Sequence, residues 1–186
     1  MSRFTVHSTP LEGLKIVERQ RLGDTRGSLS RLFCAGELAA AGWTKPIAQI
    51  NHTVTAHPAT IRGMHFQHPP HAEMKLVTCL SGAVFDVAVD LRAGSPTFLQ
   101  WHGEILSAEN NRALLIPEGF AHGFQTISAD VEMLYCHSAP YAPDAEGGLQ
   151  PLDPKLAIAW PLPSPTLSER DRNHPMIAPD FRGVTL

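Results

Sequence analysis

The 186-residue chain has only three cysteines, Cys34, Cys79 and Cys136, with no Cys-x-x-Cys pair and no zinc-ligand spacing among them. Three cannot all pair within the chain, and the thiols read as reduced. No apolar run approaches the roughly 18 residues of a membrane span, and the opening MSRFTVHSTPLEG lacks the apolar stretch of a secretory signal. A cytoplasmic location is expected, with no membrane partner. Eighteen acidic and fifteen basic residues leave a net charge of -3 and are scattered, so there is no basic stripe to grip nucleic acid. Internal repeats and low-complexity segments are absent too. Helical periodicity is scarce between Ile47 and Ser138.

What fills that stretch is short runs rich in Val, Ile, Phe, Leu and Thr, parted by Gly, Pro, Asn and Ser, which is the pattern of antiparallel strands. Strands are expected over 75–80, 83–91, 97–106, 112–116, 122–127 and 131–137. In the run Ala83 to Leu91 apolar residues are nearly continuous, while Asp86 and Asp90 share one face at strand period. That is a strand buried on both sides. Asp86 and Asp90 are read as buried partners of Arg92 or as turn formers, without catalytic assignment.

The expected fold is therefore all-β, a jelly-roll barrel with a few short helices. Helical pieces are expected at Gly36–Gly42 and in late turns opened by Asp153-Pro154 and by Ser168. A chain of this length with 43% apolar residues suits a single domain, 1–186. Within it, 1–45 would supply extra edge strands at the interface of a homodimer. The proline-rich 141–186 would cover the barrel.

Two segments concentrate polar groups that a core does not need. In Ile61-Arg62-Gly63-Met64-His65-Phe66-Gln67, strand period puts Gly63, His65 and Gln67 on one face and Arg62, Met64 and Phe66 on the other. In Pro117-Glu118-Gly119-Phe120-Ala121-His122-Gly123-Phe124, a Pro-x-Gly turn delivers a histidine to the next strand. This second segment resembles the second motif of the cupins. The first does not complete the cupin metal motif, since Gln67 stands where a second histidine is needed and Glu73 lies eight residues after His65. One ligand from each motif is too few for an ion, so no metal and no cofactor are expected.

The ordered set RGMHFQHPPHAEMKLV, FDVAVDLRAGSPTF, LSAEN, LLIPEGFAHGF, LY, YAPDAE and LSERDR resembles the dTDP-4-dehydrorhamnose 3,5-epimerases, from about Asp24 to Pro175. The resemblance implies a metal-free jelly-roll dimer that inverts C3, C5 or both in a nucleotide-linked 4-keto-6-deoxyhexose. The ketone acidifies the neighbouring C–H bonds, so the chemistry needs a base, a cation near the enolate oxygen, and an acid on the opposite face.

On that resemblance His65 is the base, Asp171 the carboxylate that orients it, Lys75 the cation and Tyr135 the acid. His122 becomes a substrate contact, and Arg26, Gln49, Asn51, Arg62, Glu146 and Arg170 hold the nucleotide, the diphosphate or the sugar. His71 either touches substrate or closes a loop. His52, His57, His68, His102, His137 and His174 read as ordinary surface or core residues.

The chain departs from the family pattern at two places. Leu29 and Arg31 follow Asp24-Thr25-Arg26-Gly27 where an aromatic residue and an acid are usual, and Cys136-His137-Ser138 replaces Lys-Thr-Thr after Tyr135. These changes leave CDP or GDP open as alternatives to dTDP. A metal-dependent cupin enzyme is the remaining alternative, opposed by Gln67.

Overall fold

Period-two alternation dominates the computed structural model, which describes residues 2–186 and holds fourteen strands and two one-turn α-helices among them. In chain order come β1 (Phe4–Ser8), β2 (Lys15–Arg19), β3 (Arg21–Asp24), β4 (Gly27–Ser30), α1 (Ala35–Leu38), β5 (Gln49–Thr55) and β6 (Thr60–Gln67). Then follow β7 (Lys75–Ser81), β8 (Ala83–Asp90), β9 (Trp101–Ser107), β10 (Arg112–Ile116), β11 (Phe120–Thr126) and β12 (Val131–His137). The tail contributes β13 (Glu146–Gly148), β14 (Thr166–Leu167) and α2 (Glu169–Arg172).

One sheet has the order β1-β2-β10-β7-β12-β5. The other runs β13-β6-β11-β8-β9, with β14 added in parallel to β6. The two sheets close on a shared core, Val77, Leu114, Val131 and Met133 from the first meeting Val84, Ala88, Leu106 and Phe124 from the second. This is a jelly roll. Each large side chain so buried contributes roughly 1.5–3 kcal/mol by leaving water.

The sheet containing β8 is covered on both faces, which is why β8 reads as an almost unbroken apolar run. Val84 and Ala88 face the barrel interior, while Val87 and Val89 face outward against Leu149, Leu156, Ile177 and Val184 of the tail. Gln125 on β11 fixes the tail further, its amide donating to Leu162 O at 2.9 Å and accepting from Leu162 N at 2.8 Å. The first sheet has its own outer cover, with Leu38 and Trp43 packed on Leu76, Leu115 and Cys136.

Several expectations need correction. The strand expected over 97–106 begins only at Trp101, because Thr97 Oγ1 donates to Asp90 Oδ2 at 2.6 Å and Leu99 takes a positive φ of 63°. Asp153-Pro154 opens no helix. The Asp153 carboxylate instead accepts from Lys155 N at 2.8 Å and Ile177 N at 2.6 Å, and Ala157 at φ 49° ends the turn. The helix expected over Gly36–Gly42 is a single α-turn followed by a 3-10 turn that stops at Gly42.

A further correction concerns β6. His122 pairs with His65 and Phe124 with Arg62, so three steps along β6 match two along β11. The extra residue is a β-bulge, and it turns Arg62 onto the same face as His65. Met64 and Phe66 remain on the outer face, buried under the tail.

Candidate active site

A cavity of about 230 Å³ lies between the sheets, with Lys75, Tyr135 and His137 on one wall and Arg62, His65 and His122 on the other. The first wall follows from alternation on β7 and β12, where Lys75 continues the inward row of Val77 and Cys79, and Tyr135 and His137 continue that of Val131 and Met133.

His65 is about one-third exposed, and its Nε2 lies 2.7 Å from Oδ1 of the buried Asp171. Asp171 sits in α2, where Ser168 caps the turn by accepting from Asp171 N at 3.0 Å, and Gly63 N reaches Oδ2 at 3.4 Å. Burial pushes the Asp171 carboxyl up, but the hydrogen bond and charge of His65 and the Gly63 amide outweigh it and hold the group below its ordinary range. An ionised Asp171 accepts the Nε2 proton. Nδ1 of His65 is then the basic nitrogen.

His122, buried, forms a second histidine–carboxylate pair, its Nε2 at 3.1 and 3.0 Å from the two oxygens of fully buried Asp86. The His122 ring meets the Tyr135 ring edge to face at 6.0 Å. Tyr135 has its hydroxyl 3.5 Å from Thr53 Oγ1, and burial raises its pKa well above the ordinary phenol value. The phenol therefore keeps its proton at neutral pH.

Lys75 is buried and its Nζ is 3.2 Å from Glu73 Oε1. At the mouth, Arg170 pairs with Glu146, which also accepts from Tyr141 Oη at 2.9 Å. Arg62 is held by Thr55 Oγ1 at 3.0 Å. Gln49 stands behind this layer, donating to Asn51 Oδ1 at 3.0 Å and accepting from Tyr141 N at 2.9 Å.

Two residues expected at the site are not brought to it. His71 is exposed, and its part is to accept from Gln67 Nε2 at 2.9 Å through its backbone oxygen, which closes the loop. Arg26 stands in the β3–β4 hairpin with its side chain 87% exposed and paired to Asp24 at 2.6 Å. Those two strands pair only with each other, so nothing folds Arg26 back onto its own cavity.

Sequence reasoning missed Asp86, Glu73, His137 and His174. Asp86 had a signal, since strand period puts it on the inward face. His137 is two residues from Tyr135 and shares its face for the same reason. His174 lies against His65 at 5.4 Å between ring centroids, with Nε2 3.6 Å from Asp171 Oδ1. Burial and the neighbouring His65 lower its pKa. Ligand-type atoms of His65, Asp171 and His174 fall within 4.8 Å of one another. The 2.7 Å contact within that group is a hydrogen-bond distance.

Residues 8–179 match the family described as dTDP-4-dehydrorhamnose 3,5-epimerase. A dTDP-4-dehydrorhamnose 3,5-epimerase of Sinorhizobium fredii is 40% identical over 171 residues, covering 91% of this chain and 88% of the relative. A dTDP-4-dehydrorhamnose 3-epimerase of Streptomyces niveus is 40% identical over 169 residues, covering 90% and 81%. The Legionella pneumophila 3,5-epimerase, solved with dTDP-4-keto-L-rhamnose, superposes with a TM-score of 0.89 at 41% identity, covering 93% of this chain and 92% of that one.

Proposed function

The chain belongs to the dTDP-4-dehydrorhamnose 3,5-epimerase family, and from that premise we propose that its cavity inverts C3 and C5 of a dTDP-linked 4-keto-6-deoxyhexose in deoxysugar biosynthesis. The observation that carries the reading is the placement of a base and an acid on opposite sheets of one cavity, His65 on β6 and Tyr135 on β12. Removing a proton from one face of a carbon and returning one to the other is inversion.

His65 Nδ1 takes the proton from the carbon beside the ketone, and Asp171 stabilises the imidazolium that results. The electron pair moves onto the C4 oxygen, where the Lys75 ammonium lies in the wall to meet it, with His122 as a contact to the sugar. Tyr135 then gives its proton to the opposite face as the carbonyl reforms. Arg62 and Arg170 suit the diphosphate, whose oxygens a guanidinium fork can take two at a time. Asn51 and Glu146 complete the contacts to sugar and nucleotide.

A homodimer fits the features left over. The β3–β4 hairpin carries Arg26 and Leu29, the latter 70% exposed, and β5 is an edge strand showing Ile50 and Val54 outward at 58% and 56% exposure. A second copy covering these residues would bring Arg26 to its partner's cavity. A cytoplasmic setting suits the three free cysteines, and among the described residues no helix is long and apolar enough to cross a membrane.

The test is incubation in D2O with 4-keto-6-deoxyglucose linked to dTDP, CDP or GDP, following C3 and C5 by NMR. Exchange at both carbons of the dTDP sugar is the expected result. Exchange at C3 alone would place the chain with the single-carbon relatives, and exchange with no donor at all would sink the epimerase reading.

A further inference from the structure

Lys75 is not a solitary cation. Its ammonium shares Glu73 with His137, Oε1 lying 3.2 Å from Lys75 Nζ and Oε2 2.7 Å from His137 Nδ1. The three side chains are 9%, 9% and 11% exposed, so water screens them little. Nε2 of His137 lies 3.4 Å from Asn51 Nδ2, which can only donate. The neutral ring therefore accepts at Nε2 and gives its Nδ1 proton to Glu73.

In that state the triad has one positive and one negative charge and sums to zero. A second proton, on Nε2, brings it to plus one. Glu73 stays ionised throughout, because burial raises its pKa while the His137 hydrogen bond and the Lys75 charge more than reverse that and hold it low. The His137 ring stacks on Tyr135 with centroids 6.1 Å apart and planes 20° from parallel, so the charge would arise in the reacting wall.

His137 faces Lys75 from β7, Glu73 from the loop before it, Asn51 from β5 and Tyr135 from its own strand. Across the cavity lie Arg62, the His65–Asp171 and His122–Asp86 pairs, and the Arg170–Glu146 pair with Tyr141 at the mouth. Among the described residues, His137 is the histidine joined to Lys75 through a shared carboxylate.

We propose that Glu73 and His137 are positioning residues for Lys75: the carboxylate fixes the ammonium in the wall, and protonation of His137 raises the charge with which that wall meets the enolate. The inference rests on assigning Lys75 to the enolate oxygen.

The test compares wild type with His137→Asn for C–H exchange of dTDP-4-keto-6-deoxyglucose in D2O, from about pD 5.5 to 8.5, where imidazoles titrate. Asparagine keeps a donor for Glu73 and cannot take a second proton. The ratio of wild-type to variant kcat is expected to fall from about tenfold at the acid end toward one at the alkaline end, with KM within about twofold. A ratio that is constant across the range, at one or at any other value, overturns the proposal. If His137→Asn does not fold, His137→Gln takes its place, with the same donor for Glu73 and the same outcomes. Lys75→Met separates the two readings, since unchanged exchange in that variant refutes the assignment of Lys75 itself, whereas lost exchange beside a constant ratio refutes only the triad.

Discussion

Nε2 of His65 and Oδ1 of Asp171 are 2.7 Å apart, a hydrogen bond that ties β6 to α2 across 106 residues of chain. The carboxylate fixes the ring's tautomer and offsets the charge the ring acquires. Asp171→Asn preserves the shape and loses both effects, and should lower kcat for exchange by about 10²–10⁴ with little change in KM. Single-turnover deuterium wash-in measures it, and a loss under about threefold would remove Asp171 from the mechanism.

Tyr135→Phe should separate the two halves of the reaction. Deuterium exchange from the His65 face continues, while formation of the inverted sugar falls by about 10² or more, because no proton waits on the other face. NMR of the products in D2O distinguishes the two. Equal loss of exchange and inversion would place Tyr135 in the first step instead.

Asp90 gives a prediction about stability. It accepts from Arg92 Nη2 at 2.7 Å, Ser95 Oγ at 2.6 Å and Thr97 Oγ1 at 2.6 Å. Burial alone would raise its pKa, but these bonds bring it down to about 2. A depressed carboxylate pKa stabilises the fold above the unfolded value near 4 and ceases to do so as pH falls toward about 2. Asp90→Asn should therefore cost about 2 kcal/mol at pH 7, with the gap to wild type narrowing below pH 4. Urea unfolding at a series of pH values reads it directly, and a gap that widens in acid would contradict the sign.

Arg26→Ala tests the second copy. If a partner's hairpin completes the cavity, KM should rise about tenfold with kcat nearly kept, as for a lost charge-assisted contact to the substrate. Light scattering should give twice the chain mass. A fully active monomer would leave Arg26 a plain surface charge.

Much of this is legible in the sequence. The bounds expected for β10 and β12 coincide with the strands found, and the same alternation that predicted them sends Lys75 and Tyr135 inward. Partners were harder. Asp86 meets His122 because β8 pairs with β11, and Glu73 meets His137 because β7 pairs with β12. Such registers are long-range facts that no local spacing encodes. Arg62 was put on the wrong face for a related reason, since the bulge that turns it exists only in relation to β11. The first residues of β9 were lost to hydroxyl bonds made by Asp90, a competition that β propensity does not register.

A methyl group built on Gly63, which has φ +133°, would lie 2.5 Å from the Gly123 Cα and 2.9 Å from the His122 oxygen. Backbone therefore touches backbone where β6 crosses β11, immediately beside His65 and His122. For anyone redesigning this pocket toward bulkier sugars, neither Gly63 nor Gly123 can take a side chain without parting these two strands. Room must come from the opposite sheet, from Thr53 on β5 and from positions along β12.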